Sequence, residues 1–293
     1  MTWKRVATAA VLIPVVVSLV VWGSTIVVAL MLALVMLLAL FEYFALGDAM
    51  GHRAYRFWTA ACALIILYLQ WLTTAVRWGE FSGILYPKSL AWLLVNFFPR
   101  AEDGIFLFVI GIAVLTLATK RPMVEALPSA GISSSGLLLI AFPLTYAIRL
   151  HAIDREGPRH LLFVLVVIWA SDTVAYFAGR AIGKHPFAPH LSPKKTWEGS
   201  IAGFASCILV AFAFMRFLTV PFTLLLGAAA VANVAGQVGD LLESAYKRSA
   251  GVKDSGVLLP GHGGMLDRID ALILAIPVVW YYWVLVYPTM RIR

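Results

Sequence analysis

Residues 26–40 read IVVALMLALVMLLAL, and all fifteen of their side chains are apolar. Strands of a membrane barrel alternate apolar and polar residues, so a run without alternation favours a helix. Over the whole chain of 293 residues, 61% are hydrophobic and the mean hydropathy is +0.89. Soluble domains contain about 45–50% apolar residues. The sequence therefore predicts an all-α integral membrane protein, a polytopic helical bundle.

Nine segments are candidate transmembrane helices, given that about 20 apolar residues cross the hydrocarbon core of a bilayer. They are residues 6–22, 25–46, 57–76, 104–119, 136–150, 160–179, 200–218, 221–246 and 269–288. We interpret residues 77–103 as an interfacial or re-entrant piece. Residues 1–150 would form an N-terminal transmembrane region that faces lipid or a second subunit. Residues 151–293 would form a C-terminal region that carries the chemistry.

Lysine and arginine residues are distributed unevenly among the loops of this bundle. Lys4 and Arg5 place the N-terminus in the cytoplasm by the positive-inside rule. Counting crossings then puts four basic loops on that side, with Arg53, Arg56, Lys120, Arg121, Arg180, Lys184, Lys194, Lys195, Lys247, Arg248, Lys253 and Arg268. The net charge of +8 is thus interpreted as membrane anchoring and not as nucleic-acid binding. We expect a multi-pass protein of a bacterial inner membrane.

Charged residues gather in two of these loops, 180–199 and 237–270. The second holds nine charged side chains in thirty-four positions, about twice the 13% of the whole chain. At 100° per residue, five polar side chains fall within an arc of about 80° on one helix face: Asn233, Gln237, Asp240, Ser244 and Lys247. A helix-pairing stripe would explain Lys247. It explains Asp240 poorly, because a charge at mid-bilayer depth costs about 3 kcal/mol without a partner or a water-filled cavity.

The residues that follow this helix, 249–264, read SAGVKDSGVLLPGHGG. The glycines exclude a continuous helix, and the Pro-Gly-His-Gly-Gly turn can present backbone N–H groups to an anion such as phosphate. Next comes MLDRID, which places Asp267 and Asp270 near the start of the last helix. They could simply be favourable partners of the helix dipole. Because Asp240 can approach from the neighbouring antiparallel helix, we favour a hard-cation site that also holds polyphosphate.

The other charged loop contains Lys194 and Lys195 between Ser192 and Thr196. Positive-inside anchoring alone would explain the two lysines. Opposite an acidic cluster they are better interpreted as phosphate clamps. Upstream, Asp172 lies inside an apolar span, where an ionisable residue is a functional candidate by default.

Residues 244–270, SAYKRSAGVKDSGVLLPGHGGMLDRID, resemble the signature of the phosphatidate cytidylyltransferase family. Residues 171–200 look like a second loop motif of that family. The resemblance implies that CTP and phosphatidate react to give CDP-diacylglycerol and pyrophosphate. It also implies Mg²⁺, with a possible second cation, and a homodimer.

The resemblance assigns roles to individual residues of this chain. Asp240 and Asp267 would be the metal ligands. The basic residues facing phosphates would be Lys194, Lys195, Lys247, Arg248 and Arg268. Further substrate-binding candidates in the two stretches are Ser192, Thr196, Ser244, Lys253, Asp254, His262, Gly263, Gly264, Asp270 and Asp172.

Two other functions are weighed against this one. The second phosphate pKa of a monoester is about 6, so a lipid phosphate is a ready nucleophile near neutral pH and needs no strong base. A CTP-dependent polyprenol kinase would instead have to activate an alcohol. A transporter usually places polar sites at the midplane between two related halves, whereas these charges lie toward one face of the last third of the chain.

Overall fold

The computed structural model describes residues 2–77, 99–153, 156–258 and 263–286. Its helices are α1 (Thr2–Trp22), α2 (Thr25–Ala49), α3 (Arg56–Arg77), α4 (Ala101–Ala118), α5 (Ala126–Gly136), α6 (Phe142–His151), α7 (Gly157–Ile182), α8 (Trp197–Phe214), α9 (Phe222–Ser249) and α10 (Leu266–Val286). A 3₁₀ turn, Met123–Glu125, precedes α5, and a π-helical turn, Leu137–Ala141, joins α5 to α6. Strands β1 (Pro186–Ala188) and β2 (Ser192–Thr196) form an antiparallel hairpin before α8.

Eight helical segments within the described ranges are apolar and long enough to cross a membrane. The predicted polytopic helical bundle is therefore confirmed. The first predicted span has a shorter apolar part, Ala10–Trp22, than the other eight. Most of the predicted interfacial piece, 77–103, lies outside the described residues.

The fifth predicted span, 136–150, is too short, because the helical segment runs over 29 residues from Met123 to His151. The first half of this segment contains several serines and was predicted to be a loop. In the structure Ser133 Oγ donates a hydrogen bond to the carbonyl of Ser129 and accepts one from the backbone N–H of Tyr55, both at 2.7 Å. These bonds satisfy the hydroxyl and allow a polar segment to be buried in the bundle.

Helices α9 and α10 pack closely against each other along an antiparallel interface. At Gly239 an added Cβ would collide with the carbonyl oxygen of Asp270 in α10. Closer to the N-terminus of α9 the small residues Ala228, Ala229 and Ala232 are fully buried. Small side chains allow helix backbones to approach closely in a membrane, where packing and not the hydrophobic effect holds helices together.

Gly239→Ala is expected to push α9 and α10 apart and to lower the free energy of unfolding by about 1–3 kcal/mol, the usual effect of overpacking. Thermal unfolding of the purified protein in one detergent measures the change. Gly131→Ala is the matched control, because a Cβ at this helical glycine of α5 meets no described atom outside its own helix turn within 4 Å. Equal unfolding midpoints for the two variants would contradict the close packing.

The charged loops lie at one end of the bundle. The carboxylate of Glu42, near the end of α2, contacts the start of α10. Arg248 Nε at the end of α9 donates to the carbonyl of Leu191 in the hairpin turn, at 3.2 Å. The alternation of the helices therefore brings the hairpin, the loop after α9 and the loop after α2 to the same end, as the charge pattern predicts.

Candidate active site

The polar stripe predicted on α9 faces α7 and α8, and its amides are bonded there. Asn233 Nδ2 donates to Ser171 Oγ of α7, and Asn233 Oδ1 accepts from Gln237 Nε2 at 2.7 Å. Gln237 Oε1 in turn accepts from Ser200 Oγ of α8. This chain of hydrogen bonds fixes the rotation of α9 and turns the next residue of the stripe, Asp240, towards the charged loops.

Asp240 is the centre of a group of charged side chains from four elements. Its carboxylate forms an ion pair with Lys195 Nζ of β2. The carboxylates of Asp172 in α7 and Asp270 in α10 both interact electrostatically with Asp240. Lys195 and Arg268 offset this repulsion at Asp172. The Lys195 and Asp240 side chains are 29% and 30% exposed, so the group is open to a solute at this end of the bundle.

Asp267, the other predicted metal ligand, has its own hydrogen-bonding partners. Its Oδ1 accepts from Lys247 Nζ at 2.6 Å, and Lys247 also pairs with Glu243 at 2.5 Å. Its Oδ2 accepts from the N–H and hydroxyl of Ser255, both at 3.0 Å, and from the N–H of Gly264 at 2.8 Å. Since the three charged side chains are at most 12% exposed, Asp267 organises the loop in this structure.

Glu42 of α2 completes this arrangement and was missed by the sequence analysis. Its Oε1 accepts from the N–H of Met265, and its Oε2 from the N–H of Leu266, each at 2.8 Å. Oε2 also lies 3.0 Å from Ser255 Oγ, so the single hydrogen of that hydroxyl is shared between Glu42 and Asp267. The carboxylate thus caps the N-terminus of α10, where it satisfies free N–H groups and meets the positive end of the helix dipole.

Two glycines allow the turn to pass close to these carboxylates. Gly263 has φ +80°, and an added Cβ would lie 2.7 Å from Asp267 Oδ2. A Cβ on Gly264 would collide with Ser255 Oγ and with Glu42. The described part of the predicted phosphate-binding turn therefore binds the protein's own carboxylates. The remaining residues of that turn, His262 among them, lie outside the described residues.

The hairpin that carries the predicted phosphate clamps is held by local contacts. Phe187 of β1 packs edge-on against Trp197, with ring centroids 4.6 Å apart. Thr196 Oγ1 accepts from the N–H of Gly199 at 3.2 Å and so caps α8. Lys195 points to Asp240, while the neighbouring Lys194 is exposed.

The other candidates differ in their surroundings. Ser244 is buried in α9, and Ser192 is half-buried at the start of β2. Lys253 and Asp254 are exposed in the loop after α9. Arg248 is occupied by two backbone carbonyls, those of Leu191 and Val252.

The carboxylates around Asp240 supply oxygen atoms of the type that Mg²⁺ prefers. In the described ranges, no three His, Cys, Asp or Glu side chains are grouped so as to hold a metal ion together. Mg²⁺ usually takes only one or two carboxylates from a protein and completes its shell with water and substrate phosphates. Asp240, with Asp270 and Asp172 near it, offers such oxygens at a partly exposed position.

Fold and site together define a polytopic membrane protein with a strongly charged site at one end of its helices. The chain belongs to the Cytidylyltransferase family, whose sequence profile matches residues 3–286. Among its relatives is the phosphatidate cytidylyltransferase of Haemophilus influenzae, 33% identical over an alignment of 291 residues that covers 96% of this chain and 98% of the relative. The phosphatidate cytidylyltransferase of Brucella abortus is 32% identical over 243 residues, 79% and 85% of the two chains. That of Bacillus subtilis is 34% identical over 202 residues, 67% and 73%.

Proposed function

We propose that this chain is a nucleotidyltransferase that makes CDP-diacylglycerol and pyrophosphate from CTP and phosphatidate. The observation that carries the proposal is the similarity over nearly the whole chain to bacterial proteins with that printed name. The site supports it independently. Basic and acidic side chains from four elements surround Asp240, at an end of the bundle that a soluble nucleotide and a membrane lipid can both approach.

The reaction joins two polyanions. An oxygen of the lipid phosphate attacks the α-phosphorus of CTP, the bond between that phosphorus and the α–β bridging oxygen breaks, and pyrophosphate leaves. The nucleophile is largely ionised near neutral pH, so proton removal is a minor problem. The main barrier is charge repulsion, which positioned cations and N–H donors reduce.

The basic residues of the site are suited to that task. Lys195 lies beside Asp240, and Arg268 is close enough to act electrostatically on Asp172. We assign these two side chains to substrate phosphates, together with the exposed Lys194 of the same hairpin. Lys247 is paired with two carboxylates inside the protein. Its contribution is to hold the loop that forms one wall of the site.

Mg²⁺ is part of the proposal. When bound, it would neutralise CTP phosphates and orient the α-phosphorus for in-line attack. Asp240 is the ligand that the geometry favours, with Asp270 as its neighbour on α10. Asp267 Oδ1 already accepts a hydrogen bond from Lys247 Nζ, which leaves one lone pair of that oxygen for a cation. A second cation, if present, would belong to the same acidic group.

Orientation and assembly are also proposed. The shared end of the basic loops would face the cytoplasm of a bacterial inner membrane, because the positive-inside rule places lysine and arginine there and CTP is a cytosolic nucleotide. The N-terminal helices would supply the contacts of a homodimer.

Purified protein with Mg²⁺, CTP and phosphatidate is expected to release pyrophosphate in proportion to a CDP-lipid product. Dolichol in place of phosphatidate should give no product, because the site provides charge neutralisation for an anionic nucleophile. Phosphorylation of dolichol, with phosphatidate inert, would overturn the proposal in favour of a polyprenol kinase. Movement of lipid or nucleotide across vesicles without any chemical product would favour a transporter.

A further inference from the structure

A cavity with a largely apolar wall and several charged side chains lies outside the site described above, between the loop after α2 and the end of α4. Its volume is about 980 Å³, and its lining includes Arg53, Arg56, Arg121, Asp48, Tyr55 and Trp58. Three arginines against one aspartate give the wall an excess of positive charge. Among the described residues, none that belongs to the candidate active site lines it.

The arginines differ in how far they are already occupied. Arg56 is paired with Asp48. Arg121 Nη1 donates to the carbonyl of Arg53 at 2.5 Å and to Ser129 Oγ at 3.1 Å, and its guanidinium lies 4.9 Å from the centre of the Tyr55 ring. A guanidinium has five N–H donors, so Arg121 is held in place with donors to spare. The Arg53 side chain is exposed and has no ion pair within the described part of the chain.

Tyr55 supplies a second sign that a ligand is expected here. Its ring is buried, and its hydroxyl has no hydrogen-bond partner among the described residues. A buried polar group without a partner costs about 1–3 kcal/mol. The hydroxyl is closed to solvent, so an anion has to displace the groups that cover it before it gives this hydroxyl an acceptor next to Arg121, which stacks on the ring.

The surroundings of the cavity are those of a membrane boundary. Phe57, which lines it, is 84% exposed, and on the α4 side Leu117 is 88% exposed. Such apolar side chains at the end of transmembrane helices lie against lipid, with tryptophan and tyrosine at headgroup depth. A ligand with a charged phosphate and apolar tails would match both parts of the wall.

We propose that this cavity is a binding site for the phosphate headgroup of an anionic membrane lipid, recognised by Arg53, Arg121 and the Tyr55 hydroxyl. The proposal does not depend on the reaction assigned to the chain. The cavity and the candidate active site are close to each other, because α2 carries Glu42 at the active site and Asp48 at the cavity. The two residues are six positions, or about 9 Å, apart along the helix.

Native mass spectrometry of the full chain in detergent tests the site. Dioleoyl phosphatidylglycerol is the probe, because it is anionic and is not the proposed substrate. Dioleoyl phosphatidylcholine is the zwitterionic comparison, and glycerol 3-phosphate tests whether a phosphate without tails is enough. We expect a bound phosphatidylglycerol whose affinity falls about tenfold in Arg53→Gln, the effect of losing one charged hydrogen bond.

Two further variants make the result specific. Tyr55→Phe removes only a hydroxyl that has no partner in the described part of the chain, so the fold should be kept while phosphatidylglycerol binds more weakly. Arg216→Gln removes an exposed arginine in the turn after α8, at the other end of the bundle, and should change nothing. Equal binding of the two lipids, equal binding of glycerol 3-phosphate, or unchanged affinity in both Arg53→Gln and Tyr55→Phe would each overturn the proposal.

Discussion

Asp240→Asn should reduce CDP-lipid formation by about 10²–10³-fold while the protein remains folded. The amide keeps the shape of the carboxylate and removes its charge. Both proposed roles of Asp240, a ligand for Mg²⁺ and the partner that orients Lys195, depend on that charge. The remaining activity should require a higher Mg²⁺ concentration. Steady-state rates at several Mg²⁺ concentrations, with the thermal unfolding midpoint of each protein, measure both effects.

Asp267→Asn provides the contrast, because this carboxylate is occupied by the protein itself. It should lose activity and also stability, by about 3 kcal/mol, since a buried lysine would lose a partner. Glu102→Gln is the control for a charge change, as Glu102 is exposed at the start of α4. Wild-type rates in Asp240→Asn would exclude Asp240 from the reaction, and an unchanged unfolding midpoint in Asp267→Asn would contradict its organising role.

Glu42→Gln should have the second largest effect, at least about tenfold in activity. Both carboxylate oxygens of Glu42 accept from backbone N–H groups at the start of α10. A glutamine must turn its NH₂ towards one of them, so two donors meet and at least one bond is lost. The loop between α9 and α10 would then open. We expect the loss mainly as a higher KM for CTP, because the loop positions phosphate-binding groups and does not react itself.

Limited trypsin digestion reports on the loop directly. In Glu42→Gln, cleavage after the exposed Lys253 should be faster than in wild type, while Glu102→Gln should be cleaved at the wild-type rate. Unchanged cleavage together with unchanged KM would show that Glu42 does not hold the loop.

The sequence was most informative where a pattern had a single physical reading. The polar stripe on α9 is one case. Its spacing predicted that Asn233, Gln237 and Asp240 share one face of the helix, and they do. The apolar side chains of α9 lie on its other faces and pack against other parts of the bundle. The contact between Lys195 and Asp240 could also be expected from their opposite charges, because few other partners are available to a charged side chain beside a membrane.

Other features had no local signal. Glu42 lies in a long apolar helix, more than 200 residues before the helix α10 whose N-terminus it caps, so only the packing of α2 against α10 reveals its role. The hairpin of β1 and β2 is too short to be read from periodicity. The predicted pairing of Asp240 with Asp267 remains a prediction. In the structure the carboxylate of Asp240 interacts electrostatically with Asp270, one helical turn further along α10, and Asp267 accepts hydrogen bonds from the loop.

Transfer of label from CTP to the lipid tests the central claim most directly. Purified wild-type protein would be incubated with phosphatidate, Mg²⁺ and CTP that carries ³²P at either the α- or the γ-phosphate. Cytidylyl transfer predicts that the α-label enters the lipid fraction and that the γ-label is released as pyrophosphate. A lipid that carries the γ-label, or neither label, would contradict the account.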